Sequence, residues 1–246
     1  MNKLTAMLLT ATVCSGLTAQ VAHATPPPRA APSNAGPNTA QCPAAPAVEA
    51  DTNERKGPLP VPSRYAAIAR SSHNRLAVLT LAGGNYCHDI HQISEARNFT
   101  LSADRRFFSF DWYGYEEGGH IVIDRSGRGQ SVDTGAAPVF SPSRQRLAAV
   151  EYSESGFGSL NGFAVWQVAV TGLRSLTMLS EIPSLVDWRI DGWVGENCIN
   201  LSGIPNSRIP PGSENWTKIP RDRYVARPAG TSWRLTRAVG RGCPAG

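Results

Sequence analysis

The residues best placed to do chemistry in this chain are carboxylates set among aromatic side chains. Asp111, Glu116 and Glu117 stand beside Trp112, Tyr113 and Tyr115, and Glu151 and Glu154 stand beside Tyr152 and Phe157. Two carboxylates held roughly 5–10 Å apart could divide the acid and base work of glycosidic cleavage. The same residue types also make a contact surface, because aromatic rings carry much of the energy of protein association. A second concentration is Cys87-His88-Asp89-Ile90-His91. On a strand, Cys87, Asp89 and His91 would share one face. A structural zinc site needs four ligands, usually in two separated pairs, and the only other histidines after residue 24 are His73 and His120. No metal or other cofactor is therefore expected. A serine hydrolase of the Gly-x-Ser-x-Gly kind is also excluded. Gly156 to Gly162 contains Ser159 at the wrong spacing and in a hairpin-loop context. No catalytic residue is assigned.

The elements that position these groups begin after an export signal. Lys3 is the only charge before Arg29, an apolar run spans Leu4 to Val13, and Ala22-His23-Ala24 offers the small-x-small pattern of a cleavage site. The run is interrupted by Thr5, Thr10 and Thr12, unlike a membrane anchor of about 20 apolar residues. Cys14 lacks the small residue directly before it that lipoprotein processing wants. Residues 1–24 are read as signal, and no later stretch is apolar enough to span a membrane. The remainder holds 23 basic and 19 acidic residues, a formal charge of +4. This is too mild and too dispersed for a nucleic-acid binder. The one basic concentration, Arg221, Arg223, Arg227, Arg234, Arg237 and Arg241 around Asp222, reads first as a solvated strand-forming tail and second as an anion-binding face.

Four cysteines remain: Cys42, Cys87, Cys198 and Cys243. An even number in an exported chain implies two disulfides. Spacing leaves open sequential pairing, Cys42–Cys87 with Cys198–Cys243, and a nested pairing of Cys42–Cys243 with Cys87–Cys198. Residues 25–62 are Pro- and Ala-rich and read as a flexible leader, with a single β domain over 63–246. Ser63 to Arg70 could open it with a short helical turn. Short runs rich in Val, Ile, Leu and Phe then alternate with turn residues. Leu173 to Ile182 suits a helix or a strand equally. Trp188, Trp193 and Trp216 read as packing residues.

An internal repeat organises these runs. Ser71-Ser72-His73-Asn74-Arg75-Leu76 matches Ser102-Ala103-Asp104-Arg105-Arg106-Phe107, and Phe140-Ser141-Pro142-Ser143-Arg144-Gln145-Arg146-Leu147-Ala148 has the same form with one more turn residue. Phe107, Phe110, Asp111 and Trp112 align with Leu147, Val150, Glu151 and Tyr152. Each run is followed by a Gly-rich loop and a second strongly β segment.

Phe140 to Ala148 resembles the F-S-P-D-G-x-x-L-A strand entry of β-propeller blades of the TolB-like and WD40-like kind, found in periplasmic proteins. Val165-Trp166-Gln167-Val168 resembles the v-W-d-v strand of those blades. The resemblance covers about residues 71–205, with Ser143 and Arg144 standing where Asp and Gly are usual. It implies a small or partial propeller of antiparallel hairpins. The alternative is a disulfide-stabilised β-sandwich. Function does not follow from fold. The expectation is a periplasmic or secreted, non-enzymatic module that binds another envelope or extracellular protein, as an inhibitor or immunity protein would. Its contact face would be Asp111, Trp112, Tyr115, Glu116, Glu117, Glu151, Tyr152, Glu154 and Phe157. A glycan-acting hydrolase using the loop carboxylates and an envelope assembly scaffold are the alternatives.

Overall fold

The computed structural model describes residues 36–44, 55, 57–153, 155–212, 216–240 and 242–244. The expected export signal lies outside them. The described chain is all-β, in four antiparallel sheets whose strands follow one another in sequence order. Sheet 1 holds β1 (Ala69–Ser71), β2 (Arg75–Leu79) and β3 (Asn85–Asp89). Sheet 2 holds β4 (Glu95–Leu101), β5 (Phe107–Tyr113), β6 (Gly118–Asp124) and β7 (Gln130–Asp133). Sheet 3 holds β8 (Val139–Phe140), β9 (Arg146–Glu151), β10 (Gly162–Ala169) and β11 (Gly172–Leu179). Sheet 4 holds β12 (Leu185–Val194), β13 (Cys198–Pro205), β14 (Asp222–Ala229) and β15 (Ser232–Arg237). The expectation of repeated antiparallel hairpins holds, whereas a two-sheet sandwich does not, because there are four sheets. The ambiguous Leu173–Ile182 segment is mostly strand, as β11.

Alternation of side chains along each strand lets one sheet bury both faces. On β5, Phe108, Phe110 and Trp112 pack with Leu76 and Val78 of the first sheet and with Ile90 just beyond it. Phe107, one position out of phase, packs the other way with Leu147, Ala149 and Trp166 of the third. On β9, Ala148 and Val150 in turn join Trp188, Ile199, Leu201 and Tyr224 of the fourth. The clusters therefore link sheet 1 to 2, 2 to 3 and 3 to 4 in series. Fully burying a side chain such as Phe108 or Ile199 contributes roughly 1.5–3 kcal/mol. Trp193 donates from Nε1 to the carbonyl of Val139 at 3.0 Å, tying sheet 4 to β8. Trp216, expected as packing, is instead exposed.

A series of stacked sheets leaves outward faces at its two ends, which must be covered. Each end carries a segment held by a disulfide. Cys87 pairs in register with Ala77, on the face of sheet 1 turned away from Leu76 and Val78, and it is bonded to Cys42. Cys198 lies out of phase with the inward Ile199 and is bonded to Cys243. Sequential pairing is thus the one adopted. Part of the stretch read as leader is fastened to the body: Leu59 is buried, and the Arg55 guanidinium donates to the carbonyls of Gly57, His73, Ile90 and Ile93. The short turn expected after Pro62 is a 3₁₀ turn at Ser63–Tyr65.

The repeated Ser-to-Arg motif is the turn between the first and second strands of a sheet. In sheet 2 the Ser102 carbonyl accepts from Arg105 N at 2.7 Å, and its hydroxyl accepts from Phe107 N at 2.9 Å. In sheet 3 the Ser141 carbonyl accepts from Arg144 N at 2.8 Å, and its hydroxyl accepts from Arg146 N at 3.2 Å. Arg105 and Arg144 both have φ of 59°. This left-handed conformation is why glycine suits the position.

Candidate functional site

The two acidic-aromatic loops meet. A parallel β-bridge joins Gly118, where the first loop enters β6, to Gly158 in the loop between β9 and β10. The junction is fixed by Asp133 at the end of β7. Its Oδ2 accepts from Trp112 Nε1 at 2.7 Å, and its Oδ1 accepts from Ser159 Oγ at 2.6 Å and from Gly135 N at 3.0 Å. Gly119 is required by this closeness, since a Cβ there would strike Ser159 Oγ and Asp133 Oδ1. On the third-sheet side, Glu151 Oε2 accepts from Leu160 N at 2.8 Å and Asn161 N at 3.2 Å, folding the loop back over its own strand. Burial raises the Glu151 carboxyl above its ordinary range; the two amide hydrogen bonds pull it down, and the charge of Asp133 pushes it up further.

This geometry divides the residues expected to form one contact face. Tyr115 and Phe157 project outward, 63% and 50% exposed, and Glu116 is exposed beside them at φ 58°. Tyr113 is partly exposed beneath the guanidinium of Arg97, 4.2 Å from the ring centre. Glu117 is half-buried. Trp112 is 6% exposed and belongs to the core between sheets 1 and 2, so its expected place on the surface is corrected. Tyr152 is half-buried against the core between sheets 3 and 4, its hydroxyl donating to Ser184 Oγ at 2.8 Å. Glu151 faces its own loop. Glu154 lies outside the described residues.

Asp111 departs most from expectation. It lies on the same face of β5 as Phe107, turned towards sheet 3. Its register partner on β6 is His120. Asp111 Oδ1 lies 2.6 Å from Nδ1 of His120, and its Oδ2 accepts from Asn98 Nδ2 at 2.6 Å. Asn98 sits at a register shift in β4 with φ 56°, a bulge that turns its amide to the carboxylate. With the carboxylate at Nδ1, the neutral ring carries its proton there and presents Nε2 as an acceptor. Both Asp111 and His120 line a cavity of about 500 Å³ between sheets 2 and 3. It exists because β8 is only two residues long and leaves part of β4 and β5 uncovered. No hydroxyl or thiol hydrogen bond to the His120 ring occurs among the described residues; on that wall Ser109 and Thr100 bond each other at 2.8 Å.

The Cys87–His91 cluster does not converge. Cys87 is in a disulfide, His91 pairs with Asp89 at 2.8 Å, and His88 turns to Ser131 of sheet 2 at 3.1 Å. Among the described residues no group of three or more His, Cys, Asp and Glu side chains is arranged to hold a metal ion. In the Arg-rich tail, Arg237 pairs with Asp222 at 2.8 Å, as does Arg208 from outside it, and Arg221 pairs with Asp187 at 2.6 Å, which fits a strand-forming tail.

Sequence reasoning missed Asp133, Asn98 and His120. Their roles arise from strand register and from the meeting of two sheets. The available signal for His120 was its position directly after the Gly118-Gly119 pair, opposite Asp111 once the hairpin is closed. No protein-family model matches the chain, and no curated protein matches it.

Proposed function

We propose that the chain is an exported, non-enzymatic interaction module that binds another protein of the bacterial envelope through its joined loops, residues 113–118 and 155–160. The observation that carries this reading is the Gly118–Gly158 bridge. It joins two hairpin loops, on which Tyr115 and Phe157 remain exposed. Exposed aromatics on a rigid frame are the usual anchors of protein interfaces. Glu116 adds charge at the rim, where it steers association more than it strengthens it. The two disulfides suit an oxidising compartment such as the periplasm. No helix among the described residues is long and apolar enough to cross a membrane. Against the hydrolase alternative, Glu151 Oε2 accepts from two loop amides and Asp133 accepts from Trp112 and Ser159.

The test is affinity capture from periplasmic extract with the tagged chain lacking residues 1–24, alongside a Tyr115→Ala/Phe157→Ala variant and a Val170→Ala control. Val170 is fully exposed on a different turn. The reading expects a partner retained by the parent chain and the control and lost from the double variant. Equal capture by all three, or no retained partner, refutes it.

A further inference from the structure

The cavity between sheets 2 and 3 goes beyond the proposed contact face. Its wall is mixed: Leu101, Phe107, Val122, Pro138 and Phe140 form the apolar part, beside Thr100, Ser109, Asp111 and His120. Arg144, also on the wall, stacks on the Phe140 ring at 4.3 Å and is paired to Asp104 at 3.6 Å. Among the polar groups of that wall the His120 imidazole is of distinct character. The His120 side chain is 7% exposed, and its Nδ1 is committed to Asp111. Nε2 makes no hydrogen bond to any described residue, yet it is not sealed from solvent and the residue lines the cavity. A buried imidazole nitrogen held as an acceptor, with its other nitrogen on a carboxylate, is poised for a hydrogen-bond donor. The carboxylate is itself fixed by Asn98, so the ring is prevented from turning away.

We propose that this cavity binds a small neutral phenol-like molecule, its hydroxyl donating to Nε2 of His120 and its ring lying between Phe107, Val122 and Phe140. The volume suits a ligand of one to three rings. A ring satisfies the apolar part of the wall, and a phenolic hydroxyl, a stronger donor than an alcohol, satisfies Nε2. A carboxylate would be repelled by Asp111 and would have to displace Asp104 from Arg144. A purely apolar ligand would leave Nε2 desolvated and unpaired, which costs affinity.

The experiment uses the chain lacking residues 1–24 and two matched probes, 2-naphthol and 2-methoxynaphthalene, which differ in the donor. Fluorescence titration should give saturable binding with 2-naphthol at least five-fold tighter. His120→Phe should abolish that difference by weakening 2-naphthol alone. Because His120→Phe strands Asp111 and could unfold the protein, the decisive reading is on the unchanged protein. In ¹⁵N NMR of the imidazoles, saturating 2-naphthol should move the Nε2 resonance of His120, and 2-methoxynaphthalene should move it much less. Equal affinities, an unmoved Nε2 resonance, or no saturable binding of either probe overturns the proposal. None of these results bears on the loop face, whose test reads partner capture.

Discussion

Ser159, in the loop of the third sheet, donates a 2.6 Å hydrogen bond to Asp133 at the end of the second. The same carboxylate holds the indole N–H of Trp112 in the core between the first and second sheets. One side chain thus couples the interior to the proposed contact surface. Replacing Asp133 with Ala leaves the buried indole N–H unpaired and frees the loop. We expect a loss of about 2–3 kcal/mol in urea unfolding and faster amide exchange at residues 155–161. Unchanged exchange there would show that the Gly118–Gly158 bridge holds the loops without Asp133.

The arginines that open the second strands are not equivalent. Arg106 forks onto Asp124, whose side chain is fully buried, with Nε to Oδ1 at 2.9 Å and Nη2 to Oδ2 at 2.6 Å, and it reaches the Ala169 carbonyl of sheet 3. Removing Arg106 strands a buried carboxylate, so Arg106→Met should cost about 3–5 kcal/mol. Arg75 makes the corresponding 2.6 Å contact to the more exposed Asp89. Arg75→Met should cost about 1 kcal/mol or less. Similar losses in denaturant titration would contradict this reading of the two sites.

Arg105 sits at φ 59° and its charge repels the buried Arg125, whose guanidinium is already lowered by burial and then by that repulsion. Arg105→Gly should relieve both. The gain is about 1 kcal/mol at most, since glycine costs more backbone entropy on folding. Thermal unfolding should show Tm raised by a few degrees; a lowered Tm would mean the arginine side chain contributes more than its strain.

Burial lowers the His88 imidazole to about 4; the charges of Asp89 and Asp133 oppose this in part, and Arg75 reinforces it. In the unfolded chain the group titrates near 6.5. Above that pH both states are neutral and the group has no effect. As pH falls from 6.5 towards 4, the unfolded chain binds a proton that the folded chain refuses, so stability falls, by about 3 kcal/mol in all. His88→Gln should flatten that part of the stability–pH curve. An identical slope in the variant would place the histidine in water.

Much of the architecture is written locally. The alternation Phe107 to Trp112 and Leu147 to Tyr152 marks the two second strands, and the Ser102 and Ser141 turns carry the repeat. Leu173–Leu179 is ambiguous in sequence because apolar spacing there fits either period; pairing with β10 decides it. The site is less legible for a related reason. Asp111 looks like a loop carboxylate until the register of β5 on β6 places it opposite His120, and Trp112 looks like a surface ring until alternation sends it to the core. Asp133 carries no local sign of its role, because Ser159 reaches it from another sheet. The pairing of Cys42 with Cys87 likewise depends on which face the first sheet turns outward.

The central claim, that the joined loops are a binding face, is tested most directly by photo-crosslinking in living bacteria. A benzophenone amino acid would replace Tyr115, Phe157 or, as a control, Val170. The account predicts the same cross-linked protein from positions 115 and 157 and none from 170. No adduct at either loop position, or the same adducts at all three, would contradict it.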